Sequence, residues 1–257
     1  MTLKHLKYIS QASQKSLKES ARNPLKNKTG GRKKVSGRNH TGKITVRHRG
    51  GGNKRSHRKI TFLSTFDSAV LERLEYDPSR SARIARLFSI ISKRHFYIIA
   101  PERLKVGSLL QRKSTSENGL GNSCVLGIVP LGIFLHCIGT SRRKSRGVFQ
   151  RSAGTFGQLV QKGLRYCIVR FSSGENKRLL AGTFAVVGRV SNRSLNKVLG
   201  KAGRNRWKGF RPTVRGVSMN PIDHPHGGGE GKSSGGRPSV TPWAKPSHGV
   251  RTKKKSN

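Results

Sequence analysis

I-A-R-L-F-S-I-I-S-K-R-H-F-Y-I-I, Ile84 to Ile99, sets two β-branched and aromatic runs, Ile84–Ile91 and His95–Ile99, around the polar pair Ser92-Lys93. This pattern reads as a β-hairpin. Working outward, Ala69–Leu74 reads as a strand closed by the turn-prone Tyr76-Asp77-Pro78, and Ile60, Phe62 and Phe66 open another. Pro101 ends the hairpin and Leu109-Leu110 starts a further strand. Short strands at this spacing predict a small barrel over residues 55–122. A second all-β unit is expected over 123–196. There Leu164–Phe171, the turn Ser172-Ser173-Gly174, the return Glu175–Leu180 and the strand Thr183–Val190 follow one another. Leu195–Leu199 suggests a short helical turn. The fold class is therefore all-β.

The ends differ in kind. Residues 1–54 form a basic extension, rich in Lys, Arg, Gly and Asn from Asn23 to Asn53, and are expected to stay disordered until a polyanion neutralises them. Residues 197–257 form a Gly-, Pro- and cation-punctuated tail, too long for an ordinary loop. The chain has 54 Lys+Arg against 10 Asp+Glu, a formal net charge of +44. Acids are missing between Glu19 and Asp67, between Glu117 and Glu175, and between Glu175 and Asp223. Whole faces must carry one sign, which calls for a polyanionic partner. Apolar residues make up 32% and concentrate between Ile60 and Val198, so a core is expected there. The longest apolar run, Cys124–Ile138, is too short for a bilayer and is broken by Gly and Pro. Cys124, Cys137 and Cys167 are scattered, without C-x-x-C spacing, and read as reduced core residues rather than zinc ligands.

M-N-P-I-D-H-P-H-G-G-G-E-G (Met219–Gly231) cannot form a helix, and its glycines let backbone press close to a partner. It stands with L-G-K-A-G-R-N-R-W-K-G-F-R-P-T-V-R-G (Leu199–Gly216), R-P-S-V-T-P-W-A-K-P (Arg237–Pro246), and G-R-N-H-T-G-K-I-T-V-R-H-R-G-G-G-N-K-R (Gly37–Arg55). L-E-R-L-E-Y-D-P (Leu71–Pro78) and R-S-A-G-T (Arg151–Thr155) complete the set. In this order, from about Gly37 to about Pro246, these segments closely resemble the universal large-subunit ribosomal protein two family in its bacterial and organellar form. The resemblance implies an OB-fold in the first barrel, an SH3-like barrel in the second, and arms threaded through large-subunit rRNA. It also implies neighbouring ribosomal proteins as partners, contact with small-subunit rRNA across the subunit interface, and a role in subunit association and in shaping the peptidyl-transfer region. Two departures stand out. The stretch His136–Gln150 is more basic than the family's turn and lacks its glycine pair, and the chain stops soon after Lys253-Lys254-Lys255, where the family often runs longer.

Candidate RNA contacts follow from residue chemistry. Arg38, Arg47, His48, Arg49, Lys54, Arg55, Arg58 and Lys59 surround the hinge Gly50-Gly51-Gly52. The planar guanidinium fork can meet two phosphate oxygens at once. Six such contacts among Arg47, Arg49, Lys54, Arg55, Arg58 and Lys59 would carry roughly four to five units of log–log salt dependence. In the tail Lys201, Arg204, Arg206, Lys208, Arg211 and Arg215 surround Trp207 and Phe210. Trp207 either stacks on an unpaired base, worth about 1–3 kcal/mol, or packs back on the second barrel, and Trp243 faces the same choice. Arg151, Asn220, His224, His226, Lys232, Arg237 and Lys245 complete the expected RNA-binding set.

Catalytic readings are weaker. Asp223, His224 and His226 invite a general base, as in a nuclease, but no nucleophile accompanies them, and imidazole equally contacts a phosphate or a ribose hydroxyl. Gly227–Ser233 nearly spells a phosphate loop, yet the required first Gly is His226 and no helix can follow. Glu72, Glu75 and Asp77 are expected to cap a turn and pair with Arg73 or Arg80. The sequence predicts no enzyme, no metal site, no cofactor beyond Mg ions held by the surrounding rRNA, no membrane contact and no homo-oligomer. An architectural DNA-binding protein is the alternative. It would explain the charge and leave Asn220–Gly231 unexplained. The basic, hydroxyl-rich first eighteen residues resemble a transit peptide, and their presence from Met1 reads as an uncleaved or internally synthesised organellar protein. With the reduced cysteines and the shortened tail, this favours a mitochondrial ribosome over a plastid or a bacterial cytoplasmic one.

Overall fold

The computed structural model describes residues 24–31, 33–61, 68–113, 119–140, 147–193, 199–231 and 233–249. The expected strand residues Phe62 and Phe66, the helical turn at 195–199 apart from Leu199, and the centre of the altered turn at 141–146 lie outside them. The chain forms two compact units. One comprises Met1–Lys33 with Lys54–Val198, the other Lys34–Asn53 with Leu199–Asn257. This differs from the division read from composition. The front segment is shared between the units, and both barrels fall in one.

In the first unit, strands β1 (Thr29–Gly31) and β2 (Ser56–Arg58) pair as a short antiparallel ribbon. Four further strands, β3 (Ser68–Glu75), β4 (Ile84–Ser89), β5 (His95–Ile99) and β6 (Leu109–Lys113), build an antiparallel sheet in the order β6-β3-β4-β5. Ile60 adds a parallel bridge to Tyr97 at the β5 edge. The β4–β5 register pairs Ile84 with Ile99 and Phe88 with His95, as the opening hairpin requires. Alternation places Ala69, Leu71, Ala85, Leu87, Ile98 and Leu110 in one core. This is the OB-fold barrel.

The second barrel uses β7 (Ser123–Val125), β8 (Phe134–His136), β9 (Gly157–Lys162), β10 (Tyr166–Phe171), β11 (Asn176–Leu180) and β12 (Phe184–Val187), ordered β11-β10-β9-β8-β12-β7. It is SH3-like. The apolar run Cys124–Ile138 supplies β7 and β8, which flank β12. Among the described residues no helix is long and apolar enough to cross a membrane. Cys124, Leu135, Leu159, Cys167, Val169 and Ala185 share the core, and all three cysteines are buried. Burial pushes the Cys137 thiol up to about 12.

The barrels are fused rather than tethered. Strands β6 and β7 pair in parallel, and Ala82 and Ile99 of the first barrel pack with Cys137, Val186 and Val190 of the second. Backbone bonds run from Glu102 N–H to the Arg189 carbonyl (2.7 Å) and from Ser191 N–H to the Ala100 carbonyl (3.1 Å). Acids are used locally. Arg73 donates to Glu75 (2.8 Å) and Arg80 to Asp77 (2.7 Å), while Arg86 pairs with Glu72 (2.7 Å). Asp77 also caps its turn by accepting the Ser79 N–H at 2.8 Å. The Tyr97 hydroxyl donates to Glu75 Oε2 (2.8 Å) and accepts the Leu25 N–H (2.9 Å), tying the front of the chain to β5. Burial, reinforced by Glu75, raises the Tyr97 hydroxyl to about 12.

His136 is fully enclosed at this junction. Its Nδ1–H donates to the Gly188 carbonyl at 3.0 Å. Burial lowers its pKa from 6.5 to about 4. As pH falls, the unfolded chain takes up this proton first. The contribution to stability is complete above about pH 6.5 and is lost as pH drops towards 4. Urea unfolding of the wild type and of His136→Asn, whose amide can keep the bond to Gly188, should show the wild type losing about 3 kcal/mol more than the variant between pH 7 and pH 4.

Candidate nucleic-acid interface

The second unit holds itself together with few apolar residues and no ion pair among its described residues. Its acids are Asp223 and Glu230. Within the segment Lys34–Asn53, Arg38 and Ile44 form an antiparallel bridge, and the Thr45 and Val46 N–H groups donate to the Gly37 carbonyl. At Gly50-Gly51-Gly52 the chain turns with positive φ. The Lys34 ammonium caps the turn, donating to the carbonyls of Gly51 (3.2 Å), Gly52 (2.6 Å) and Asn53 (2.8 Å). Backbone contact does the rest. Gly50 N–H donates to the Gly209 carbonyl, Asn53 N–H to the Trp207 carbonyl, and Arg211 N–H to the His48 carbonyl.

The tail is not extended throughout. Gly203–Lys208 forms a short helix, α1, ended by Gly209 in the left-handed conformation. This presents Arg204, Arg206 and Lys208 on an exposed turn. Arg206 Nη1 donates to the Phe210 carbonyl at 3.0 Å. Aromatic faces brace the cations. The Arg49 guanidinium lies 4.4 Å from the Phe210 ring centre, Arg47 lies 5.6 Å from Trp243, and the Lys201 ammonium lies 4.8 Å from Trp207. Such stacking fixes the plane of a guanidinium while its N–H edges stay available to phosphate. Trp207 and Trp243 remain 47% and 66% exposed.

Met219–Gly231 folds onto itself. Asn220 offers its carbonyl to Asp223 N–H (3.0 Å), and Gly228 N–H reaches the Met219 carbonyl (3.2 Å). A Cβ at Gly227 would meet the Asn220 carbonyl oxygen, so only glycine fits. His224 is buried, and its Nδ1 accepts the His226 N–H at 3.1 Å. The nitrogen that a catalytic Asp would orient is therefore already used. His226 Nε2 lies 3.3 Å from the Val240 N–H, which donates to it, and 3.4 Å from the Pro238 carbonyl; the first contact puts the ring proton on Nδ1. The turn Thr241–Pro246 is closed by Thr241 N–H to the Lys245 carbonyl at 2.8 Å. It carries Trp243 and Lys245 outward, with Arg237 exposed just before it.

The structure thus gathers Arg38, Arg47, His48, Arg49, Lys201, Arg204, Arg206, Trp207, Lys208, Arg211, Arg215, Asn220, Arg237, Trp243 and Lys245 in the second unit, nearly all on its surface. Lys54, Arg55, Lys59 and Arg151 are exposed on the first unit. Two expected contacts are placed differently. Arg58 is 5% exposed and donates to the Ser56 carbonyl at 3.0 Å, and His224 is enclosed by its own loop. Both are positioned to hold backbone rather than to meet phosphate directly. Lys232 lies outside the described residues. Phe210 and Lys34 were not among the expected contacts; spacing gives no sign that one seats Arg49 and the other gathers the Gly51–Asn53 carbonyls. No group of His, Cys, Asp or Glu suited to a metal occurs among the described residues.

Two fused small β-barrels and a cationic, aromatic-braced loop unit define a class of RNA-binding protein that grips by charge and shape. Comparison with known families agrees. Residues 25–111 match the RNA-binding N-terminal domain of Ribosomal Proteins L2, and residues 119–244 match their C-terminal domain. The chain belongs to this ribosomal protein family. It is 48% identical over 235 residues to "Large ribosomal subunit protein uL2" of Anaplasma marginale (strain Florida), covering 90% of this chain and 84% of that protein. The protein of the same name from Ehrlichia canis (strain Jake) is 52% identical over 223 residues, covering 86% and 80%. That from Ehrlichia ruminantium (strain Gardel) is 49% identical over 236 residues, covering 91% and 85%.

Gly52 tests the integrity of the loop. Its φ is +78°, and a Cβ there would lie 2.7 Å from the Gly209 nitrogen and 2.8 Å from the Trp207 carbonyl oxygen. These are backbone atoms that cannot swing aside. Gly52→Ala should cost RNA affinity about tenfold or more, from strain of about 1–3 kcal/mol. The barrels' own unfolding transition should stay in place, which circular dichroism would follow beside a filter-binding assay.

Proposed function

We propose that this chain is a structural constituent of the large ribosomal subunit. It binds large-subunit rRNA with its barrels as rigid anchors and its second unit as a cationic clasp. The observation that carries this is the ring-braced pair of guanidiniums, Arg47 and Arg49, which have no carboxylate partner among the described residues, in a chain of the ribosomal L2 family. The mechanism is charge neutralisation and shape fit, with no turnover. Arg47, Arg49, Lys54, Arg55, Lys59, Arg151 and the tail cations meet phosphates, and Trp207 and Trp243 offer faces to unpaired bases. His224 and His226 hold the Met219–Gly231 loop in shape for its partner. The family reading extends to neighbouring ribosomal proteins as partners, contact with small-subunit rRNA at the subunit interface, support of subunit association and shaping of the peptidyl-transfer region. The chain acts there as one copy and not as an enzyme.

A ribosome of bacterial type is the setting. The relatives are bacterial, which fits the bacterial cytoplasm. The mitochondrial expectation rests on the first eighteen residues, the cysteines and the shortened tail, and the relatives lend it no support. Nothing in the comparisons favours the DNA-binding alternative.

Affinity for large-subunit rRNA should fall linearly with salt on a log–log scale. Replacing the exposed Arg47, Arg49, Lys54, Arg55 and Lys59 by Gln should flatten the slope by about four units. Equal affinity for duplex DNA at the same salt would count against rRNA as the partner. In fractionated cells the tagged protein should sediment with large subunits; its recovery free of particles would overturn the reading.

A further inference from the structure

The loop Lys34–Asn53 and the segment after α1 line a concave, half-open site of about 740 Å³ whose wall includes Arg38, Arg47, Arg49 and Arg211 together with Ile44 and Val46. We propose that this is a seat for a single unstacked nucleotide of RNA, with its phosphates on the arginines and one face of its base on the two aliphatic side chains. The ribosomal reading supplies the identity of the RNA, and the proposal rests on it for that alone.

The arginines stand on fixed backbone. Arg38 and Ile44 bridge each other, Arg49 bridges Phe210, and Arg211 N–H donates to the His48 carbonyl at 3.1 Å. Rings of Phe210 and Trp243 hold the Arg49 and Arg47 guanidiniums. Among the described residues no carboxylate forms an ion pair with any of the four, so their natural counter-charge is an external anion. A bare phosphate leaves the rest of the site unexplained. Ile44 and Val46 are 60% and 51% exposed beside this charge, and a base offers the flat apolar face that would cover them. Extruded bases are held in this way between apolar or aromatic side chains and polar groups that read their edges. A polar group is at hand. His48 Nδ1 donates to the Pro212 carbonyl at 2.9 Å, which makes Nε2 of the neutral ring an acceptor for an exocyclic amine or a ribose hydroxyl. A cavity of this volume suits a nucleotide-sized ligand. Recognition of RNA by bases out of the stack is the mode that this mix of arginines and aliphatic side chains fits.

The test uses the full chain and uridine 5′-monophosphate, with inorganic phosphate and uridine as comparison probes, titrated at one salt concentration. The monophosphate should bind about tenfold more tightly than phosphate, the gain expected when a base face is covered. Ile44→Ala/Val46→Ala should bring the two ligands together, and Arg38→Gln/Arg211→Gln should weaken both in parallel. Equal binding of monophosphate and phosphate by the wild type overturns the proposal without any variant. A monophosphate preference untouched by Ile44→Ala/Val46→Ala overturns it as well. Large-subunit rRNA binding is measured separately. Its failure beside an intact nucleotide preference removes the ribosomal reading and leaves the seat, whereas rRNA binding without that preference removes only the seat.

Discussion

Positive charge without compensation is the constraint that the rest of this structure answers. With 54 cations and 10 acids, carboxylates are too few to pair the surface. The three clustered acids serve the first barrel, where Glu72, Glu75 and Asp77 each take a local arginine. The second unit is held instead by peptide groups and ring faces. Three carbonyls gather around the Lys34 ammonium, and Phe210 and Trp243 hold guanidiniums. Such contacts fix cations without neutralising them, so the unit stays shaped and yet remains short of counter-charge. RNA supplies what is missing.

The two barrels contribute rigidity. Each alone is small, and small domains bury too little surface to be firm. Their shared packing at Ile99, Cys137, Val186 and Val190 and their backbone bonds at Ala100–Glu102 turn them into a single body. A rigid body presents its exposed cations at fixed spacing, and fixed spacing is what lets a protein recognise folded RNA by shape rather than by sequence.

The hairpin at Ile84–Ile99 was legible because a strong β pattern surrounds a polar turn. The structure places it within one residue at three of its four strand ends, and stops β4 at Ser89 because Ile90 and Ile91 enter the turn. Strands β8 and β9 were harder to read. Strand β8 has only three residues, and Gly157 begins β9 with no side-chain signal of its own. Helix α1 was missed because a Gly-started, arginine-rich stretch has no apolar stripe. The residue types of the interface were readable, since charge and glycine are local properties. Its assembly was not, because Arg49 meets Phe210 across a long stretch of chain through backbone bonds that leave no periodic mark. For the same reason burial of Arg58 and His224 could not be foreseen. Each owes it to partners that close around it only in the fold.

The three cysteines carry a last consequence. All are sealed inside the fused barrels, and Cys137 has its thiol raised to about 12. At Cys137 the thiolate, the reactive species, is scarce at neutral pH, and burial shields all three sulfurs from oxidants and alkylating agents in the folded chain. Cysteine chemistry therefore finds its targets before the second barrel closes, and folding itself protects these thiols.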